Sequence, residues 1–392
     1  MDSEQTVRTF LDFFRDRGHH ILPGAGLVRP PGDPVLFTTS GMHPLTDYLT
    51  GRPHPAGRRL ADVQRCLRTT DLDEVGDPTH LTAFQMLGSW SLGDYDSTRS
   101  VTWAYELLVD GYGIPPARLH ATAFGGDTGR PGDALGPDTA TERAWGGLGV
   151  PVERLGPDNW WTNGPTGPCG PDSEIFVWTG GGDPAGTPGT DPRWVEVWNH
   201  VSMCWQRGAD GSLHRLPRGS VDTGMGLERL VTILQGKPSV YDSDVFDAWR
   251  EVLPGLWEGD PATHRVTADH LRSAAVLVAD GVRPAATGHG YVLRRLVRRV
   301  LALLWREDPD RTLADLPPEP VEVSLRHFGL RSDRVREVLL DEERRFAAQL
   351  MRGRRVLSQG RFTGRLGEDD YAYLHDTHGL PRDLVDALRA ER

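Results

Sequence analysis

The chain has 392 residues, enough for two or three domains with a large buried core. Its formal net charge of -11 argues against a general electrostatic binder of nucleic acid, although a local basic patch is compatible with it. The three cysteines, Cys66, Cys169 and Cys204, lack the spacing of a disulfide framework or a zinc site, and no apolar run reaches membrane-spanning length.

Residues 1–18 have the pattern of an amphipathic helix, and the apolar side is formed by Val7, Phe10, Leu11 and Phe14. Charged residues run through this stretch, which distinguishes it from a signal peptide. The sequence therefore predicts a protein of the cytoplasm. After a segment rich in proline and glycine, the run from Val35 to Thr39 predicts a short strand that ends at Ser40, Gly41 and Met42.

Residues 59–68 alternate as a half-buried strand does, and residues 80–88 predict the returning strand of an antiparallel hairpin. In such a hairpin Arg68 and Phe84 share a face. A ring that stacks on a base, beside a cation that meets a phosphate, would suit a nucleotide. An exposed strand arginine beside a core phenylalanine is the structural alternative, and the segment alone leaves both open.

Residues 158–171 combine paired tryptophans with many glycines and prolines, which predicts irregular backbone that forms either a pocket wall or an ordinary surface loop. Two strands are predicted next, over residues 173–178 and 194–205. Strict alternation in the second strand would place Glu196 and Trp198 on one face and Asn199 and Val201 on the other.

Residues 220–230 bring together a carboxylate, two glycines and a guanidinium, supplied by Asp222, Gly224, Gly226 and Arg229. A strand that delivers Asp222 and then opens a helix would place Arg229 in the first turns of that helix. Such a unit can hold an ammonium at one end and a phosphate at the other. The alternative is a helix N-terminus with a solvated arginine.

The character of the chain changes after residue 240. Helical periodicity predicts helices over residues 265–282, 291–306 and 332–358, and the prolines at 317–320 predict a linker. The second of these helices carries arginines that form either an RNA-contacting face or a solvated face, namely Arg294, Arg295, Arg298, Arg299 and Arg306.

Seven motifs, taken together and in order, resemble the aminoacylation core of alanyl-tRNA synthetase: QRCLR, AFQMLGSWSLGDY, NWW with GPTGPCGPDSEI, VWNHV, VDTGMGLERL, RVTADHLRSAAVLVADGV and GYVLRRLVRR. The resemblance spans nearly the whole chain. It implies an α+β fold, in which residues 1–240 form a class II aminoacyl-tRNA synthetase antiparallel sheet flanked by helices. It also implies that residues 241–392 form an all-helical domain like the family's tRNA-recognition region.

The resemblance also implies substrates, cofactors and site residues. Arg68 is similar to the arginine that binds the α-phosphate of ATP, Phe84 to the ring that stacks on adenine, and Arg229 to the arginine that grips the γ-phosphate. Asp222 is similar to the carboxylate that holds the ammonium group of alanine. The remaining positions are Met86 and Gly226 at the ATP site, and Met42, Trp161, Asn199, Val201 and Gly224 at the amino-acid site. Glu196, a hard oxygen donor, is the predicted Mg²⁺ ligand.

Several departures from the family's pattern concern tRNA. The chain ends after the helical region, without the family's editing and C-terminal domains, which predicts a monomer. Gly288 stands where the family has an asparagine that recognises the G·U pair of the acceptor stem, and glycine offers no side-chain amide for that contact. The family's basic cluster after the second motif is replaced by Thr79-His80-Leu81.

The leading hypothesis is therefore an enzyme that uses ATP to activate alanine, or a close analogue, as an aminoacyl adenylate. It would transfer the aminoacyl group to an acceptor other than tRNA, such as a nucleoside-like small molecule in antibiotic biosynthesis. A minimal alanyl-tRNA synthetase that charges tRNA(Ala) is the second hypothesis, and a non-catalytic paralogue that binds amino acids or adenosine compounds is the third. The sequence leaves alanine, serine and glycine open.

Overall fold

The structure is a computed structural model that describes residues 1–30, 32–33, 35–130, 132–133, 135–378, 380 and 382–390. The chain divides into two compact units, Met1–Glu251 and Val252–Arg392. The sequence predicts a catalytic domain over residues 1–240 and a tRNA-recognition domain over residues 241–392, and these two roles stay predictions. None of the described helices is long and apolar enough to cross a membrane.

The first unit contains nine strands in its described residues, joined in one sheet. They are β1 (His20–Ile21), β2 (Arg59–Leu67), β3 (Ala83–Ser91), β4 (Leu119–Phe124), β5 (Val152–Leu155), β6 (Trp160–Thr162), β7 (Gly167–Trp178), β8 (Trp194–Arg207) and β9 (Leu213–Gly226). Their order is β1-β2-β3-β9-β8-β7-β4-β5, with β6 also paired to β7. The central pairs are antiparallel, while β1 and β5 pair in parallel with their neighbours. The predicted fold class is confirmed.

The helices of the first unit are α1 (Ser3–Asp16), α2 (Thr46–Leu49), α3 (Ser97–Glu106), α4 (Thr139–Gly147), α5 (Leu227–Leu234) and α6 (Asp247–Leu256), the last of which continues into the second unit. The predicted amphipathic helix is confirmed as α1, which begins with a capping box at Asp2. Phe10 and Phe14 of α1 pack against Trp198 of β8, with ring centroids 6.0 and 6.3 Å apart. The main core therefore lies on the helix-covered face of the sheet and leaves the opposite face for a site.

Three predicted features differ in the structure. Residues 35–39 form no strand, because only an isolated bridge links Phe37 to Val28. The glycine- and proline-rich residues 167–171 belong to β7, which accommodates them through a register shift between Cys169 and Asp172. The predicted linker at 317–320 contains the start of a helix, whose first turn accepts Pro320 because a backbone N–H there has no helical partner.

The second unit is helical. Its helices are α7 (Pro261–Ala279), α8 (Gly288–Glu307), α9 (Glu319–His327), α10 (Val335–Leu357), α11 (Glu368–His378) and α12 (Arg382–Ala390). Two of the α8 arginines, Arg294 and Arg298, turn toward α10, where both contact the buried carboxylate of Glu342 at 3.3 and 2.6 Å. These two arginines therefore join helices within the unit instead of forming a purely solvated or RNA-contacting face.

Candidate active site

Strand pairing places the predicted site residues in rows across the face of the sheet that the main core leaves free. One row contains Trp90, Asp222, Val201 and Asp172, on β3, β9, β8 and β7. The next row contains Asp62, Gly88, Gly224, Asn199 and Glu174. Residues paired across strands point to the same face, so residues distant in sequence meet here.

Asp222 supplies a carboxyl group at the centre of the first row. Its side chain is almost buried, with 7% of the residue exposed. The indole N–H of Trp90 donates to Asp222 Oδ1 at 2.6 Å. Burial raises the pKa of Asp222 to about 7, while the Trp90 hydrogen bond acts in the opposite direction. A bound cation would favour the ionised form further, so Asp222 is suited to hold an ammonium group.

Apolar side chains surround this carboxyl group. Met42, Trp90 and Val201 are buried in one cluster, and Trp161 packs against it. Three of the residues predicted at the amino-acid site, Met42, Trp161 and Val201, thus lie in one cluster beside Asp222. Asn199 and Gly224, also predicted there, lie in the neighbouring row. Asn199 donates through Nδ2 to Asp172 Oδ2 at 2.8 Å.

Glycine at position 224 is required by a close approach. A Cβ atom there would lie 2.6 Å from the sulfur of Met86, well inside the normal contact distance. The same sulfur accepts a hydrogen bond from the Gly41 backbone N–H at 3.3 Å, which holds Met86 in place. Met86 therefore separates the Asp222 side of the face from the cleft beyond it.

That cleft brings together the residues predicted to bind ATP. Its lining includes Arg68, Phe84, Met86, Glu196, Gly224, Gly226 and Arg229. The Arg68 guanidinium lies 5.0 Å from the centre of the Phe84 ring, as the predicted hairpin requires. A flat ring and two guanidinium groups in one cleft can accept a base and its phosphates.

Arg229 is the third residue of α5, which opens directly after β9 as predicted. Its Nη1 donates to the Glu196 backbone oxygen at 2.9 Å and to Glu196 Oε2 at 3.1 Å. Both side chains are partly exposed, so a phosphate could compete for the guanidinium.

The predicted alternation of β8 is wrong at Glu196. In the pairing of β8 with β7, Trp198 lies opposite Ile175 and Glu196 lies opposite Phe176. Val197 is therefore an extra residue without a partner on β7. The bulge returns Glu196 to the face that carries Asn199, whereas Trp198 points into the core. Glu196 reaches the cleft for this reason.

Further carboxyl groups lie near Glu196. Burial, followed by the charge of Glu196, raises the pKa of Glu174 to about 8. Burial also raises the pKa of Asp172 to about 7, against the hydrogen bond from Asn199. No group of three His, Cys, Asp or Glu side chains in the described part of the chain could hold a metal ion by itself. Glu196 would therefore have to share a metal ion with oxygen atoms of a ligand.

Sequence reasoning missed several residues of the site. Trp90 stands in one of the motifs, but its role does not follow from the motif because its partner Asp222 lies 132 positions away. Glu228 accepts two hydrogen bonds from the Gln85 backbone N–H, at 3.0 and 3.2 Å, and so ties α5 to β3. An acidic residue in the first turn of a helix is the only signal that could have indicated it. His80 lines the cleft while its ring contacts Asp77 and Glu74.

Several known proteins are similar to this chain. The family description "tRNA synthetases class II (A)" matches residues 5–392. Alanine-tRNA ligase of Treponema denticola is 46% identical over 314 residues, which cover 74% of this chain and 51% of that protein. Alanine-tRNA ligase of Treponema pallidum is 39% identical over 421 residues, which cover 99% of this chain and 68% of that protein. Histidyl-tRNA synthetase of S. aureus, a solved structure, has a TM-score of 0.37 and 12% identity, over 69% of this chain and 77% of that one.

The antiparallel sheet and the match over residues 5–392 define a domain of the class II aminoacyl-tRNA synthetases. The chain belongs to the alanine-tRNA ligase family. The resemblance found in the sequence is thereby confirmed. The chain spans about half the length of the Treponema denticola relative and about two thirds of the Treponema pallidum relative.

Proposed function

We propose that this chain activates alanine with ATP to form alanyl adenylate and pyrophosphate. The observation that carries the proposal is the order of groups along one face of the sheet. The buried carboxyl group of Asp222 stands at one end, and Arg68, Phe84 and Arg229 stand around the cleft at the other. Alanine and ATP present complementary groups in the same order: an ammonium, a carboxylate, phosphates and an aromatic base.

The reaction joins a carboxylate oxygen of alanine to the α-phosphorus of ATP. The bond from that phosphorus to the bridging oxygen breaks, and pyrophosphate leaves with the electron pair. Such a displacement depends on positioning and charge neutralisation, because it requires no covalent catalyst. We assign Arg68 to the α-phosphate, Arg229 to the γ-phosphate and Phe84 to the adenine ring. Asp222 holds the ammonium so that the carboxylate points toward the cleft.

The site also suits the Mg²⁺ that accompanies ATP. Magnesium is commonly held by one or two carboxylates together with substrate phosphates. Glu196 lines the cleft and is partly exposed. We assign the Glu196 carboxylate as the protein's oxygen donor to the ion. When bound, Mg²⁺ would neutralise phosphate charge.

Selection among amino acids would come from the apolar cluster. Met42, Trp161 and Val201 form an apolar wall beside Asp222, which would favour a small apolar side chain. Rejecting glycine is harder, since one missing methyl group is worth only ~1–3 kcal/mol in such a pocket. Alanine is therefore the proposed substrate, with glycine and serine as the competitors to test.

The test is ATP-pyrophosphate exchange with alanine, glycine and serine on one preparation. We expect exchange that depends on alanine, with kcat/KM about 10- to 200-fold above that for glycine. Absence of alanine-dependent exchange, or a clear preference for an amino acid with a large side chain, would contradict the proposal.

The acceptor of the alanyl group is a separate question. The names of the relatives support tRNA(Ala) better than they support the small-molecule acceptor predicted from the sequence, and we propose tRNA(Ala) first. One observation favours the small molecule as a second candidate. Gly288, the first residue of α8, is exposed with φ +60°, and no atom lies within 4 Å of the place where a Cβ would be. The start of α8 therefore offers no side-chain amide at this position.

A tRNA(Ala) charging assay on the same preparation distinguishes the two acceptors. Charging that accompanies exchange supports tRNA(Ala). Exchange without charging supports the second candidate and directs the search to nucleoside-like amines and alcohols.

A further inference from the structure

The Trp90 indole fills a space that exists because two neighbouring residues are glycines. Its indole is fully buried, with the ring directly over Gly88 and against Gly41. A Cβ atom on Gly88 would lie 2.1 Å from the ring, and one on Gly41 would lie 2.9 Å from it. Two glycines thus fix the ring where its N–H reaches Asp222. The indole is placed by the fold and does not depend on a bound amino acid.

A second buried carboxyl group lies beside this pair. Asp62 of β2 pairs with Gly88, so it stands in the row next to Trp90 and Asp222. Only 3% of the residue is exposed, and Oδ1 has no hydrogen-bond partner among the described residues. Burial raises the pKa of Asp62 well above its ordinary value, and the charge of Asp222 adds to this effect. The two carboxyl groups are therefore close enough to influence each other.

We propose that Trp90 selects Asp222 as the ionised member of this carboxyl pair, so that the site offers one negative charge to one ammonium. Two neighbouring buried carboxyl groups cannot easily ionise together, and they titrate as a pair. A donated N–H favours the charged form of the group that accepts it. Asp222 accepts such a bond, whereas Asp62 Oδ1 accepts none, so Asp62 keeps the proton.

Among the described residues, Cys66, Asp172 and His43 are further titratable groups on the elements around the pair, and none of these three supplies a competing positive charge. On β2, burial raises the pKa of Cys66, so the thiol stays neutral. On β7, Asp172 lies in the row of Asp222 with Val201 between them, and Asn199 binds it. In the turn that follows Met42, burial and the charge of Arg29 lower the pKa of His43, which keeps this ring neutral.

This inference rests on the proposed function, and it defines the substrate class more narrowly. A site with one negative charge and apolar walls matches an amino acid that carries one ammonium and a small neutral side chain. A diamino acid would bring a second charge without a partner, and burying an unpaired charge is strongly unfavourable. The residue that sets this preference is Trp90, acting through Asp222.

The test compares Trp90→Phe with Asp62→Asn in the exchange assay. Trp90→Phe removes the N–H and keeps an apolar ring. We expect the KM for alanine to rise about tenfold or more while the KM for ATP stays unchanged, because a hydrogen bond to a charged group is lost. In wild type the KM for alanine should fall as the pH rises, because Asp222 becomes ionised. In Trp90→Phe this fall should occur at a higher pH. Asp62→Asn resembles the protonated carboxyl, so its alanine KM at pH 7 should stay within about twofold of wild type.

Trp145→Phe is the matched control. Trp145 is also fully buried and donates its N–H to Ser173 Oγ at 2.9 Å, but its ring belongs to the main core. This variant should lose stability and keep its alanine KM and pH profile. An unchanged KM and pH profile in Trp90→Phe would overturn the inference. So would an Asp62→Asn variant whose alanine KM rises as strongly as that of an Asp222 variant.

An infrared measurement separates this inference from the proposed function, because it requires no activity. The difference spectrum of wild type and Asp62→Asn at pH 7 should contain the carbonyl stretch of a protonated carboxyl group. Its absence would show that Asp62 is ionised and would overturn the inference. If that band is present but wild type shows no alanine-dependent exchange, the proposed function fails while the charge assignment stands.

Discussion

Asp222→Asn is expected to reduce alanine-dependent pyrophosphate exchange by about 10²- to 10³-fold. The substitution removes the buried negative charge that we assign to the alanine ammonium. Removing one partner of a buried charge pair typically costs about 3–5 kcal/mol, and each 1.4 kcal/mol is a factor of ten. The loss should appear mainly in the KM for alanine, since Asp222 is separated from the cleft by Met86 and Gly224.

Asp210→Asn is the control for this substitution. Asp210 lies in the exposed turn between β8 and β9, where it accepts a hydrogen bond from Ser212 that an asparagine can also accept. This variant should behave as wild type. If Asp222→Asn kept the alanine KM of wild type while remaining folded, the ammonium would have to bind elsewhere.

Arg229→Gln is expected to lower kcat/KM for ATP by about 10²- to 10³-fold, with little change in the KM for alanine. Glutamine keeps good helix propensity, so α5 should persist. The loss follows from removing a guanidinium that we assign to the γ-phosphate, since a charge-stabilising donor is typically worth about 2.7–4 kcal/mol in the transition state. Arg229→Lys should recover only part of the activity, because an ammonium lacks the planar fork of a guanidinium.

Arg154→Gln provides the matched control. Arg154 is exposed on β5, where it pairs with Glu142 far from the cleft lining. Its loss should leave both KM values unchanged. A drop in alanine affinity with unchanged ATP kinetics in Arg229→Gln would contradict the assignment of the two ends of the site.

Local pattern was sufficient for the parts of the site that are close in sequence. The hairpin of β2 and β3 follows from alternating apolar residues on both sides of a polar loop, and it brings Arg68 to Phe84. Between β9 and α5 the repeat of side chains on one face changes from every second residue to every 3.6 residues. This change predicts where the helix begins, and it places Arg229 just beyond Asp222. In these segments the local sequence pattern is enough to predict which side chains lie together.

Contacts between distant strands could not be predicted in the same way. The bond from Trp90 to Asp222 depends on the pairing of β3 with β9, which no local pattern specifies. The position of Glu196 depends on a bulge, and strict alternation assigns it to the wrong face. Glycine and proline at 167–171 suggested irregular backbone, although pairing with β6 and β8 holds the segment as a strand. Tertiary pairing overrides local preference at each of these points.

The position of a bound, non-hydrolysable alanyl-adenylate analogue tests the central assignment most directly. We predict a crystal structure of the complex in which the analogue's ammonium lies within hydrogen-bond distance of Asp222 Oδ2 and its adenine ring stacks on Phe84. The Arg68 guanidinium should contact the group that replaces the α-phosphate. An analogue bound with its ammonium away from Asp222, or outside the cleft formed by Arg68, Phe84 and Arg229, would contradict the account.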